Sequence, residues 1–253
     1  MISRSPVLRE FAAATTRGLR RPHNEDTVAA AGELLTGEVL EPVRGRVGPR
    51  GAELFVVADG VGGHVHGALA SREAVAGLLA DAPALADPED CVGAVRRANL
   101  RLHDRMLRQP ETAGMGSTVA GVLLHGTSAC WFNVGDSRIY HLRSAGRLEQ
   151  LSVDDTAGHA AAGPGAPRTS HALSRSLGGQ RAICPVQPHV GRAVVAGGER
   201  LLLCSDGLTD MLPDAAILAI LETQGDVTAA VRSLVSAALD AGGRDNVSVL
   251  LVQ

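Results

Sequence analysis

Apolar runs of four to six residues, each cut off by glycine, serine or aspartate, recur along this chain. The run 54–58 stops at Asp59-Gly60, the stretch 129–134, apolar but for Asn133, stops at Gly135-Asp136, and 201–204 stops at Ser205-Asp206-Gly207. Short apolar runs bounded by turn residues predict buried strands. Strands are also predicted over 7–16, 119–124, 139–142, 148–151 and 247–252, the last preceded rather than followed by an acid, Asp245. Glycine turns this short imply antiparallel pairing. Spacings of three and four predict helices over 68–80 and 89–108, with Cys91, Val95, Ala98, Leu102 and Met106 as the apolar stripe of the second. Arg96, Arg97, Arg101, Arg105 and Arg108 then form its solvated face. Further helices are predicted near 213–221 and 227–239. The stretch 33–51 reads as a hairpin or surface excursion. The stretch 154–168 is small-residue-rich and aperiodic, and reads as a mobile, flap-like loop.

Composition narrows this picture. A chain of 253 residues with 45% hydrophobic content suits one globular domain spanning 1–253. Its 24 basic and 27 acidic residues leave a net charge of -3, so no global field favours nucleic acid or an anionic membrane. Every basic residue is arginine; lysine is absent, which excludes a P-loop lysine and Schiff-base chemistry. The excess of alanine, glycine and arginine hints at a GC-rich bacterial genome. Cys91, Cys130, Cys184 and Cys204 lack CxxC spacing and read as buried, reduced thiols. Without a signal-peptide core or a run of about 18 apolar residues, a soluble cytoplasmic protein with no membrane span is expected.

The recurring acids carry the chemistry. Asp26, Asp59, Asp136, Asp206 and Asp245 all fall at strand ends or in adjacent loops, and antiparallel pairing can bring such ends to one rim. Any one of them is more commonly a turn residue. Five in one chain, three after apolar strands, predict an acidic cluster. Crowded carboxylates repel and raise one another's pKa, so a cation best stabilises them. An all-oxygen set favours Mg2+ or Mn2+, and the lack of HExxH or Cys-His spacing argues against zinc. Two such ions sharing a carboxylate lower the pKa of a bridging water and orient it for in-line attack. Arg21 is placed to grip phosphoryl oxygens. Metal-assisted hydrolysis follows from the residues; the substrate does not.

RPHNED at 21–26, ADGVGG at 58–63, GMGST at 114–118, GDSR at 135–138, SDGL at 205–208 and GGRDNVSV at 242–249 together resemble the motif set of the metal-dependent protein phosphatases of type 2C. The resemblance spans nearly the whole chain. It implies an α+β fold, a four-layer α-β-β-α sandwich of two antiparallel sheets flanked by helices. It implies a bacterial serine/threonine phosphatase that hydrolyses phosphoserine or phosphothreonine by direct attack of a metal-bridging water, with no phosphoenzyme. Two Mn2+ or Mg2+ ions would fill the core site, with a third weaker one beside it. By position, Asp59 would bridge the core ions and orient the water, with the Gly60 carbonyl on one of them. Asp206 and Asp245 would complete one ion's protein ligands, and Glu25 and Asp26 would hold the other, largely through water. Asp136 with Asp206 would hold the third ion, and Arg21 the phosphate. Asn246 and Thr118 would support the site.

The implied partners are phosphorylated proteins in signalling, the targets of an opposing Ser/Thr kinase. Two features depart from many members of that family. Val61 stands where some carry a histidine taken as general acid, with His64 and His66 close by in sequence, and the flap-like stretch 154–176 is short. A two-metal phosphodiesterase or nuclease is a competing reading, disfavoured by neutral charge and sparse aromatics. A catalytically dead regulatory module is another, disfavoured by the intact Arg21, Asp59, Asp206 and Asp245.

Overall fold

The period of two along each strand sorts the apolar side chains into separate layers. The computed structural model describes residues 8–48, 51–61, 65–157 and 172–253. In chain order it begins with β1 (Arg9–Thr16), β2 (Thr27–Ala30), β3 (Glu33–Thr36), β4 (Val39–Val47), β5 (Glu53–Ala58) and β6 (Gly60–Val61). Helices α1 (Val65–Asp81) and α2 (Pro88–Arg108) lead to β7 (Gly116–Ser117), β8 (Val119–His125), β9 (Ser128–Val134), β10 (Arg138–Arg143) and β11 (Arg147–Gln150). After β12 (Leu177–Gly178), β13 (His189–Val194) and β14 (Arg200–Cys204) come α3 (Asp206–Thr209), α4 (Asp214–Thr223), α5 (Val227–Asp240) and β15 (Val247–Val252).

One six-stranded sheet has the order β11-β10-β14-β15-β1-β4, the other β13-β9-β8-β5-β2-β3, and β12-β7-β6 form a small third ladder. Between the large sheets lie Phe11, Ala13, Val28, Phe55, Val57, Ile139, Leu203 and Leu250. The alternate residues Leu54, Val56 and Ala58 pack with Val95, Ala98 and Leu102 of α2, while Ala12, Ala14, Leu202 and Val249 pack with Val231 and Leu234 of α5. Three apolar layers in a four-layer α-β-β-α sandwich result, as the motif resemblance implied. Each fully buried Leu, Val or Phe contributes about 1.5–3 kcal/mol.

The helices are secured by polar detail. Asp87 caps α2, accepting from the amides of Glu89 at 2.9 Å and Asp90 at 3.0 Å, while Asp90 returns a bond from the Asp87 amide. Arg200, buried at the sheet's far end, donates to the carbonyls of Leu221, Gln224 and Gly225, satisfying the end of α4. Arg96, Arg97 and Arg108 of α2 are exposed, as the pattern predicts, whereas Arg101 and Arg105 are partly buried. Arg97 and Arg101 pair with Asp81, and Arg105 with Glu73, so they stitch α2 to α1.

Three other expectations change, and one strand forms where none was predicted. The stretch 33–51 is no simple hairpin: β3 pairs with β2 and β4 with β1, so the chain crosses between sheets there. Cys91, Cys130 and Cys204 are buried, but Cys184 is exposed, because it lies in an irregular segment over α2. The stretch 189–194, half-exposed and with polar His189 and Arg192 among Val190, Ala193 and Val194, forms the edge strand β13. Asp154 and Asp155, which begin the flap-like stretch, are fixed and buried at 4% and 5% exposure; residues 158–171 of that stretch lie outside the described residues. Among the described residues no helix is long and apolar enough to cross a membrane.

His103 on α2 is buried, and neither ring nitrogen has a hydrogen-bond partner among the described residues. Burial pushes its pKa below the usual histidine range. Folding therefore favours the neutral ring, and this part of the stability is fully present above the unfolded pKa of about 6.5 and is lost as pH falls below it. His103→Leu is expected to raise stability at pH 5.5 by about 1–2 kcal/mol, by removing unsatisfied polar atoms, and to flatten the dependence between pH 5 and 7. Urea denaturation of both proteins across that range checks it.

Candidate metal and phosphate site

Strand register, rather than proximity in sequence, assembles the acids. Thr27 pairs with Ala58 across β2 and β5, so the residues just beyond, Asp26 and Asp59, end side by side. Arg138 pairs with Cys204 across β10 and β14, which sets Asp136 opposite Asp206. Thr16 pairs with Val247 and Cys204 with Val249 in the sheet that carries β10 and β14, which brings Asp245 to the same end of it as Asp136 and Asp206. Alternation then aims some of these groups inward. Val28, Ala30, Phe55, Val57, Leu250 and Val252 face the inter-sheet layer, and two residues further along the same faces stand Asp26, Asp59 and Ser248.

Hydrogen bonds across the two sheets hold this rim. Asp26 Oδ2 accepts from Ser205 Oγ at 2.8 Å and Ser248 Oγ at 2.7 Å. The backbone of Asp59 is held from both sides: its amide donates to Thr118 Oγ1 at 2.9 Å, and its carbonyl accepts from the Thr118 amide at 2.8 Å. Asn246 accepts from the Glu25 amide at 2.8 Å and donates to the carbonyls of Arg17 and His23, pinning the loop that carries Arg21 and Glu25. Gly60 sits where no side chain fits, since a Cβ would stand 2.1 Å from the Gly67 carbonyl oxygen. Its amide bonds the Glu25 carbonyl at 3.2 Å, which draws the Glu25 loop against the Asp59 turn.

Arg21 is half-exposed on the same rim, and its Nη2 donates to Asp245 Oδ2 at 2.6 Å. That bond, with the charges of Asp59 and Glu25, raises the guanidinium pKa further. The arginine of GDSR is engaged elsewhere, since Arg138 is bidentate to buried Asp154 and also donates to Tyr140 Oη. Val61, in β6, offers no proton donor; His66 lies in the first turn of α1, and His64 is outside the described residues. Sequence reasoning overlooked Ser205 and Ser248. The signal was present, since both lie within the SDGL and GGRDNVSV segments beside the acids.

The electrostatics follow from crowding. Burial pushes Asp26 up to about 6, with the Asp245 charge adding to it, against bonds from Ser248 and Ser205 that favour the carboxylate. Asp59 and Asp206 keep some solvent access, yet burial raises both well above the usual range, and neighbouring aspartates raise them further: Asp26, Asp206 and Asp136 for Asp59, and Asp136, Asp210 and Asp245 for Asp206. Two buried oxygens, Asp26 Oδ1 and Asp206 Oδ1, have no hydrogen-bond partner among the described residues. Hard divalent cations fit such an all-oxygen, charge-crowded rim. Among the described residues no three acidic, histidine or cysteine side chains form a finished ligand cage.

The cluster predicts a trade between stability and function. With divalent ions removed by EDTA, Asp59→Asn is expected to raise the thermal midpoint by about 2–4 °C, the size of a 1 kcal/mol relief in a chain of this length. Added Mn2+ should raise the midpoint of the parent protein more than that of Asp59→Asn. Thermal denaturation with EDTA and with Mn2+ measures both.

Comparison with known proteins agrees with this geometry. Residues 45–241 match the family model described as protein phosphatase 2C. The chain is 32% identical to the serine/threonine protein phosphatase PstP of Mycobacterium tuberculosis over 99% of its own length but only 46% of the relative's, so it spans about half of that protein. It is 30% identical to the serine/threonine phosphatase stp of Listeria welshimeri, over 94% of this chain and 93% of that one. A crystal structure of the catalytic domain of PstP, in complex with two manganese ions, superposes with a TM-score of 0.80 at 32% identity, covering 98% of this chain and 99% of the other. With register, acidic rim, family model and full-length likeness in agreement, the chain belongs to the protein phosphatase 2C family.

Proposed function

We propose that this chain is a metal-dependent protein serine/threonine phosphatase, acting on phosphorylated proteins. The observation that carries the reading is one rim where aspartates from both sheets crowd together beside a half-exposed arginine. The relatives' names and the manganese in the PstP domain support it.

Asp59, Asp206, Asp245 and the Gly60 carbonyl would hold the core divalent ions with Glu25 and Asp26, and Asp136 with Asp206 would hold a third. Mn2+ or Mg2+ bound there supplies positive charge and activates water for in-line attack at phosphorus. The chain's residues do the rest. Asp245 anchors one nitrogen of Arg21, and the remaining donors of its fork have no partner among the described residues, leaving them to phosphoryl oxygens. Ser205 and Ser248 hold the Asp26 carboxylate, while Thr118 fixes the Asp59 turn. Val61 cannot protonate the leaving alkoxide, so that proton would come from water at the ions or from another group. The opposing activity is that of a Ser/Thr kinase, and the site of action is the cytoplasm.

Hydrolysis of para-nitrophenyl phosphate and of a phosphothreonine peptide with Mn2+ tests the reading. EDTA is expected to abolish turnover, and Asp59→Asn to lower kcat by more than about a hundredfold, the scale of losing a preorganised charge at the reacting centre. Arg21→Ala should raise KM about tenfold, as the loss of charge-assisted bonds to phosphate. Metal-independent turnover, or activity only toward bis-para-nitrophenyl phosphate, would overturn the assignment.

A further inference from the structure

The turn carrying Asp136 is gripped from outside the acidic rim by one buried carboxylate. Asp155 Oδ2 accepts from the Gly135 amide at 3.0 Å, and the Asp155 amide donates to the Gly135 carbonyl at 2.9 Å. The other carboxylate oxygen, Oδ1, accepts from His189 Nε2 at 2.9 Å, with Arg175 Nη1 at 3.6 Å. His189 opens β13 and pairs with Asn133 of β9, two residues before Gly135. Asn133 in turn donates to the Val153 carbonyl at 2.7 Å and accepts from the Val153 amide at 3.1 Å. The carbonyl of Asp155 accepts from the Ser174 amide at 2.8 Å, so the returning chain is tied to the same residue.

Gly135 needs this grip. Its φ of 95° lies in the left-handed region, and a Cβ there would stand 2.6 Å from Thr118 Cγ2. Glycine alone fits, and glycine is also the residue that loses most freedom on ordering. Thr118, the residue it packs against, bonds the Asp59 amide and shares a bond with Ser137 Oγ at 2.7 Å. A shift of the Gly135 turn would therefore move Asp136 and disturb the support of Asp59 together.

We propose that Asp155, oriented by His189, is a positioning residue: its two bonds to Gly135 fix the direction in which Asp136 enters the acidic rim. Its effect on turnover rests on the phosphatase reading; its effect on the turn does not. A charge-assisted bond from a backbone amide to a carboxylate, itself braced by an imidazole, is the kind of outer support that keeps a functional loop in register.

Asp155→Ala, Asp155→Asn and His189→Phe in the full chain test this. Amide hydrogen exchange, read by NMR in EDTA, should show Gly135 exchanging about tenfold faster or more in Asp155→Ala, with β8 and β9 unchanged. Calorimetric titration with Mn2+ should show its weakest binding step loosened about tenfold, the scale of losing an outer-shell partner. With para-nitrophenyl phosphate, kcat should fall while KM holds. Asp155→Asn keeps an acceptor oxygen and should restore Gly135 protection and most of kcat; His189→Phe should fall between, and it carries the comparison if the alanine variant does not fold. Unchanged Gly135 exchange, protection lost evenly across the sheet, or an unaltered Mn2+ isotherm would each overturn the proposal. A parent protein inactive on phosphomonoesters would refute the functional reading alone, since exchange at Gly135 and Mn2+ binding would still decide this one.

Discussion

Mutual repulsion among crowded, largely buried carboxylates is the constraint around which this molecule is organised. Asp26, Asp59, Asp136, Asp206 and Asp245 come from distant parts of the chain, and their crowding adds to burial in raising the cost of ionising Asp26, Asp59 and Asp206. Such a rim does not form by itself. It persists because the strands that deliver the acids are held in register by ladders extending far from the rim. Ser205, Ser248, Thr118 and Asn246 then fix carboxylates and turns that would otherwise splay apart.

The apolar layers offset that cost. Three cores, one between the sheets and one under each pair of helices, bury nearly every residue of β5, β14 and β15. Strand ends bearing charge are tolerable when the strand bodies are so deeply anchored. The same logic explains the polar bonds far from the rim. Arg200 closes the end of α4, and Arg97, Arg101 and Arg105 join α2 to α1, so each helical layer stays seated on its sheet.

Motif residues divide their labour in a way their spacing does not announce. Arg21 keeps donors available at the rim, while Arg138 is committed to Asp154 and Tyr140 behind it. Both are arginines beside motif acids, and only their partners tell them apart. The family model covers Asp59, Asp136 and Asp206 but neither Arg21 nor Asp245. Those two meet through an ion pair formed by opposite ends of the chain.

The sequence by itself determined much of this protein. Apolar runs ending in Asp-Gly or Gly-Asp named β5, β9 and β14 and the acids they carry, because strand burial and turn chemistry are local. The periodicity of 89–108 named α2 for the same reason. The two ends of the chain were also legible as motifs, though not as neighbours. What only the tertiary structure decided was non-local. The edge strand β13 has only an interrupted apolar signature, broken by Gly191 and Arg192, because much of it faces solvent, and its pairing with β9 makes it a strand. Asp154 and Asp155 resembled the start of a mobile loop until Arg138 and His189 met them across the fold. Ser205 and Ser248 acquired their role only when two sheets set them either side of Asp26. Register and layer packing join residues more than two hundred positions apart, and no pattern read along one chain can encode which partner waits across the gap.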